Sequence, residues 1–202
     1  MEAQLLTHTT GEVSRPFLQQ GFSRHPRVFM NFEIGRHRPT APPLPPQFEI
    51  RPWSEQEYQS AAALITAAYR GHVDSEINDQ YRTLTGSLRF LNNIVRFPGC
   101  GQFDAASSFI AYHRASRTAV GLILCSRVKN DVGHITQVCV LPEHRGKGIG
   151  AGLLAANLQD LQRRRFSMLS LTVTEANKSA VELYKRLGYH VARVFDAFVW
   201  EG

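Results

Sequence analysis

The stretch Gln137-Val-Cys-Val-Leu-Pro-Glu-His-Arg-Gly-Lys-Gly-Ile-Gly150 constrains this chain more than any other. Val138, Cys139 and Val140 favour a strand, and Pro142 cannot extend a sheet ladder. Gly146, Gly148 and Gly150 then stand at alternate positions, where missing Cβ atoms let backbone N–H groups converge. Ile149, Leu153, Leu154, Leu158 and Leu161 follow at steps of three and four, the period of one helix face. The stretch therefore predicts a strand, a tight glycine turn and a helix start. A helix start offers unpaired N–H donors and the positive end of a dipole, a setting that suits phosphate or pyrophosphate. Arg145 and Lys147 add positive charge. The even glycine spacing is not Gly-x-Gly-x-x-Gly, and no Gly-Lys-Ser/Thr completes a Walker loop. A tight turn with no ligand is the competing reading of this stretch alone.

The flanking segments predict a mixed α/β plan. Gln47-Phe-Glu-Ile-Arg-Pro52 alternates apolar and polar residues like a first strand. Ser54-Glu-Gln-Glu57 has the form of a capping box, followed by a helix with Tyr58, Ala62, Ile65 and Tyr69 on one face. After a polar connector at 71–79, the spacing of Ile77, Tyr81, Leu84, Leu88, Leu91 and Val95 predicts a second helix, ended by Phe97-Pro-Gly. Runs at 107–113, 119–128 and 133–140, joined by short polar turns, read as antiparallel strands. A strand at 168–174 and a helix at 180–187 follow, with Gly188 as the helix cap. Residues 189–194 and 197–200 are expected to form a closing hairpin.

Two motifs in this order resemble the GCN5-related N-acetyltransferase (GNAT) superfamily. One is Arg-x-x-Gly-x-Gly after a strand ending in Val-Leu-Pro, carried by Arg145, Gly148 and Gly150. The other is Asn-x-x-Ala-x-x-Leu-Tyr-x-x-x-Gly-Phe/Tyr, carried by Asn177, Ala180, Leu183, Tyr184, Gly188 and Tyr189. The element order over 47–202 matches as well. The resemblance implies the GNAT fold, an α/β plan whose mixed, mostly antiparallel sheet is splayed at the centre and flanked by helices. It implies an enzyme, an N-acetyltransferase that moves an acetyl group from acetyl-CoA, its co-substrate, to a primary amine. The cofactor cleft would lie between the strand ending at Val140 and the strand 168–173. Arg145, Gly146, Lys147, Gly148, Ile149 and Gly150 would hold the pyrophosphate. Val138, Cys139 and Val140 would pair with the pantetheine arm, and Asn177 would hydrogen-bond CoA. Tyr184 would be the catalytic acid that protonates the departing thiolate. Beside these roles, Asn177 also suits a helix N-cap, and Tyr184 suits a packed aromatic whose hydroxyl needs a partner.

Many relatives carry a carboxylate on the strand before the loop, but here His134-Ile-Thr-Gln137 holds no acid. His134 titrates in a suitable range. Asp74, Glu76 and Asp79 border the expected acceptor side, where they could bind a cationic amine or lie in a solvated loop. The missing carboxylate supports a second reading, a catalytically silent acyl-CoA-binding or regulatory module, against which the retained Tyr184 argues. Cys139 could carry an acetyl group, or be a buried structural thiol. The acceptor, a small-molecule or peptide amine, has no diagnostic motif.

The net charge of +6 suits a polyanionic cofactor as well as a nucleic acid. The one basic run, Arg163-Arg-Arg165, falls at a helix end, and no stacking platform accompanies it; no nucleic-acid partner is expected. Three scattered cysteines give neither metal-ligand nor disulfide spacing, so no metal is expected and the cytoplasm is the expected compartment. The longest apolar run, 119–125, is too short to span a bilayer, the N-terminus lacks a signal-type apolar region, and no membrane partner is expected.

Residues 1–46 form an N-terminal arm whose end, 37–46, is a proline-dense linker. Residues 17–30 align with 184–197: Phe17 falls on Tyr184, Gly21 on Gly188 and Phe22 on Tyr189. The match is either chance or the remnant of a preceding GNAT-like unit, one in which Phe17 lacks the acid hydroxyl. An ordered arm would pack as a β-ribbon on the main domain or on a second subunit of a homodimer.

Overall fold

The computed structural model describes residues 2–3, 14–35, 41–97, 99 and 101–200. In chain order the elements are β1 (Glu2–Ala3), α1 (Ser14–Gln19), β2 (Ser23–Glu33), β3 (Phe48–Pro52), α2 (Tyr58–Ala68), α3 (Asp74–Ile77) and α4 (Leu84–Val95). They continue with β4 (Gln102–Phe103), β5 (Phe109–His113), β6 (Thr118–Lys129), β7 (Val132–Val140), α5 (Ile149–Arg163), β8 (Met168–Thr174), α6 (Lys178–Arg186) and β9 (His190–Val199). The strands make one sheet in the order β1-β9-β2-β8-β7-β6-β5-β3, with β4 on β6. Among the described residues β7 and β8 are the parallel neighbours, and the other pairs are antiparallel.

Alternation on the central strands sends side chains to two cores. Leu122, Leu124 and Cys139 pack under α2 and α4 with Ala61, Ile65 and Leu91. Ile123, Cys125 and Ile135 face α5 and α6 with Leu153, Leu158 and Tyr184. All five apolar residues that predicted the loop helix, from Ile149 to Leu161, are buried. The basic run is tied down rather than free: Arg163 and Arg164 pair with Asp160 at 2.9 and 2.7 Å, and Arg164 also reaches Asp104 at 2.9 Å. Among the described residues no helix is long and apolar enough to cross a membrane.

The described part of the arm, 14–35, packs within the same chain. Strand β2 is inserted between β8 and β9, pairing from Arg27↔Thr174 to Glu33↔Met168 on one side and from Ser23↔Val199 to Asn31↔His190 on the other. Its alternate residues Val28, Met30 and Phe32 are buried in the α5–α6 core. The expected closing hairpin is instead the single strand β9. Val194-Phe-Asp-Ala197 offers no glycine or proline for a turn. Asp196 is buried, where it accepts from Ser14 Oγ at 3.2 Å and from Arg24 Nε at 2.9 Å. It anchors the arm rather than a turn. The aligned segments also share a shape: α1 and α6 each end at a glycine with positive φ, Gly21 at 81° and Gly188 at 98°, before a long strand.

Two local expectations are corrected. The second helix spans Leu84–Val95 only, because Asn78 caps the Gln80 N–H at 3.1 Å and Thr83 caps the Gly86 N–H at 3.0 Å, so two short turns precede it. Ile77 packs instead against Ala197 and Val199. At Ser54 the capping is one-sided: its Oγ accepts from the Gln56 N–H, while the Glu57 carboxylate takes the Ser60 hydroxyl at 2.7 Å.

Candidate active site

Parallel pairing of β7 with β8 runs from Val132↔Met168 to Ile135↔Leu171 and stops. Beyond it β7 stays with β6 up to Val140↔Gly121, and β8 stays with β2 up to Thr174↔Arg27. Each strand follows its other neighbour, so the two diverge and open a wedge. A cavity of about 810 Å³ fills the wedge and reaches the glycine turn and α6.

Beyond Ile135 the β7 wall is an edge that β8 leaves unpaired. The Leu141 N–H donates to Val120 O at 2.9 Å, so odd-numbered residues here turn toward β6. Alternation then turns the N–H and C=O groups of Val138 and Val140 into the wedge. Val138 O accepts from the Tyr69 hydroxyl at 3.4 Å, and Val140 O from Arg145 Nε at 3.1 Å. Arg145 also donates to Ala68 O at 2.7 Å, which straps the turn to α2. Its guanidinium is thus tied to backbone at two of its nitrogens while it lines the cavity.

The turn is built by backbone conformation. Gly146 and Gly148 have φ of 74° and 80°, a region that costs a side-chain-bearing residue energy. Gly148 is the N-cap of α5 and supplies no side-chain cap, so the first N–H groups of the helix are left to solvent or ligand. Gly150 is different: a Cβ there would meet Leu183 Cδ2 at 3.6 Å and Val140 Cγ2 at 3.9 Å, ordinary contacts. Val138, Cys139, Val140, Arg145, Gly146, Gly148, Ile149, Gly150, Asn177 and Tyr184 all line the cavity. Lys147, which is exposed, does not.

On the α6 wall, Asn177 is the helix N-cap, its Oδ1 accepting from the Ala180 N–H at 3.3 Å, while its Nδ2 lies 3.4 Å from His72 Nε2. Tyr184 is 6% exposed. Burial pushes its phenol pKa well up, with Asp74 and Cys139 adding to the rise, so the hydroxyl keeps its proton. Burial also raises the Cys139 thiol to about 12, which leaves it protonated and poorly nucleophilic.

The connector between α2 and α3 contributes more than its sequence suggests. His72 and Asp74 both line the cavity. The Asp74 N–H lies 3.1 Å from His72 Nδ1, and its carboxylate 3.6 Å from the same atom. Thr174 Oγ1 hydrogen-bonds Asp74 Oδ1. Burial lowers the pKa of His72; Asp74 opposes this and Arg145 adds to it, leaving a neutral imidazole near pH 7. His72 and Tyr69 were not singled out by sequence, where His72 reads as one residue of a polar loop; its i,i+2 carboxylate neighbour is the one available signal. Glu76 and Asp79 do not line the cavity. Nor does His134, which hydrogen-bonds Ser170 Oγ at 2.9 Å, stacks on Phe29 at 6.0 Å and is lowered to about 4 by burial.

A splayed parallel pair beside a glycine turn defines a recognisable class. The profile described as Acetyltransferase (GNAT) family matches residues 77–189, more than half of the chain, and the chain belongs to that family. Among curated relatives, a mycothiol acetyltransferase of Thermobispora bispora is 43% identical over 93 residues, covering 43% of this chain and 31% of the relative. The chain spans about a third of the length of curated relatives that it matches. Among solved structures, a GCN5-related N-acetyltransferase from Sphaerobacter thermophilus matches with a TM-score of 0.71 at 21% identity, covering 98% of this chain and 60% of that one. A tandem GNAT protein from the clavulanic acid biosynthesis pathway matches with a TM-score of 0.58 at 16% identity, covering 98% and 61%.

Proposed function

We propose that this chain transfers an acetyl group from acetyl-CoA directly to a primary amine. The observation that carries the reading is the β7 edge that β8 leaves unpaired, which opens on the uncapped start of α5 on one side and on Tyr184 on the other. A pantetheine arm can pair with Val138 and Val140 as an added strand, and the N–H groups from Gly146 to Gly150 suit a pyrophosphate. The Val140 N–H is the donor for the thioester oxygen as charge develops on it.

In this reading the amine nitrogen attacks the thioester carbon, the C–S bond breaks, and Tyr184 protonates the departing thiolate. The amine must first lose a proton. His72 is the base through Nε2, in the neutral tautomer that carries its proton on Nδ1 facing the Asp74 carboxylate at 3.6 Å, and that carboxylate also attracts the incoming ammonium group. This replaces the missing carboxylate of β7 and leaves His134 a structural role. The arm is read as the last helix turn and strand of a preceding GNAT-like unit, in keeping with its shared shape and with the tandem neighbour. Both described cysteines are free and buried, which fits a reducing cytoplasm.

Acetyl-CoA should raise the melting temperature by mass action, and no shift at millimolar acetyl-CoA counts against the cofactor assignment. Tyr184→Phe should then keep that shift while turnover on an amine panel falls by about two orders of magnitude. Unchanged turnover removes Tyr184 as the acid. A wild type that is stabilised but acetylates no amine leaves the silent acyl-CoA-binding module as the better reading.

A further inference from the structure

The sheet face beneath α3 carries two buried donors without partners. Gln137 is 5% exposed, lines the cavity and receives the Tyr81 hydroxyl on Oε1 at 3.4 Å, but its Nε2 has no partner. Arg27 comes from the arm. It sits directly across from Thr174 in the β2–β8 ladder, so the two side chains share one face. That face is opposite Val28, which enters the α5–α6 core. Arg27 Nε is buried without a partner, and the residue makes no ion pair among the described residues.

Asp74 and Tyr81 cover this place. Thr174, the cross-strand partner of Arg27, hydrogen-bonds Asp74. The Tyr81 phenol is shifted far upward by burial and by Asp74, with Arg27 pulling the other way, so both charges lie near that ring. A half-buried guanidinium whose Nε donor has no partner is unfavourable unless something else completes it. The negative charge lies at the reacting end of the cleft with His72 and Asn177, and the positive charge lies beyond it on β2.

We infer that Arg27 and Gln137 form an anion subsite for the acceptor, and that the acceptor is an amine bearing a negatively charged group, a carboxylate or a phosphate, rather than a polyamine. The inference rests on the acetyltransferase reading above. The amine enters toward Asp74 and His72, and the anion meets Arg27 through charge-assisted hydrogen bonds. The arm strand thus supplies part of the acceptor site as well as completing the sheet.

The test compares matched amines on the full chain with saturating acetyl-CoA: L-amino acids against their carboxamides, and glucosamine 6-phosphate against glucosamine. The anionic member of at least one series should show a kcat/KM about ten- to a hundredfold higher, and which series responds separates carboxylate from phosphate. Arg27→Gln should erase that preference mainly through KM, and Arg27→Lys should retain part of it. The acetyl-CoA melting shift of Arg27→Gln should match wild type, which shows the variant folded with its cofactor cleft intact. Neutral members turned over equally well or better, or an unchanged ratio in Arg27→Gln, overturn the inference. So does failure of every pair while acetyl-CoA still stabilises the protein. Absence of any acetyl-CoA shift strikes instead at the cofactor reading.

Discussion

If β2 is an integral strand, shaving its core side chain should cost as much as any core truncation. Phe32 is 1% exposed, and its ring centroid lies 5.2 Å from that of Tyr189. A Cβ added at Gly188 would come within 3.2 Å of Phe32 Cε2, so the ring closes over the C-terminal cap of α6. Phe32→Ala therefore empties a site bounded by backbone and by a second aromatic, which has little freedom to collapse. The expected loss is about 3–5 kcal/mol. With an m-value of about 2–3 kcal/mol per molar urea, the unfolding midpoint should fall by about 1–2 M. Leu18→Ala, at a position 49% exposed on α1, is the control and should change stability by less than about 0.5 kcal/mol. Urea unfolding followed by far-UV circular dichroism and by tryptophan fluorescence reads both variants. A midpoint for Phe32→Ala within about 0.4 M of wild type, or no larger a change than for Leu18→Ala, would show that the arm is an appendage. The insertion of β2 between β8 and β9 would then be wrong.

Three further outcomes separate structural from ligand roles. Gly150→Ala places a methyl in ordinary contact with Leu183 and Val140 on a helical residue, so the melting temperature should hold or rise slightly; acetyl-CoA affinity by calorimetry should drop about tenfold, and unchanged affinity would remove the turn from the cofactor site. His134 has a folded-state pKa of about 4, below its ordinary 6.5. Its contribution is fully present above 6.5 and is lost as pH falls toward 4, so wild type should lose about 2.5 kcal/mol from this group between pH 7.5 and 4.5. His134→Gln, which can still reach Ser170, should show a pH dependence smaller by that amount, and identical pH profiles would refute the assignment. Cys139, with its thiol at about 12, should label about a thousandfold more slowly with iodoacetamide at pH 8 in the native than in the unfolded protein; rapid native labelling, mapped by mass spectrometry, would show a reactive thiol instead.

The strand, turn and helix walls of the cleft were legible because their parts are local. Strand, turn and helix around Gly146 and Gly148 lie within one continuous stretch, and Asn177 with Tyr184 lies within one helix. Periodicity, positive-φ glycines and capping act over a few residues, so sequence spacing carries them. The terminal hairpin failed for the opposite reason. Whether Val194-Phe-Asp-Ala197 turns back or runs on depends on what lies beside it, and its neighbour is β2, more than 160 residues away. The second helix failed because Asn78 and Thr83 each offer the backbone a cap that competes with helix continuation.

The proposed acceptor side fails by the same rule and more severely. Its contacts join residues 56 apart at Tyr81–Gln137 and 100 apart at Asp74–Thr174, and Arg27 enters from the arm only through the strand register. No local pattern marks any of them: Gln137 reads as a strand residue before the loop, and His72 as part of a solvated connector. Because the arm completes the sheet, a change in its register by one residue would turn Arg27 away from Thr174 and into the α5–α6 core. The burial of Val28, Met30 and Phe32 prevents that slip, since each would have to exchange places with a polar neighbour. The side chains that hold β2 in the sheet therefore also fix the face on which Arg27 stands, so one register sets both arm docking and the placement of the proposed anion subsite.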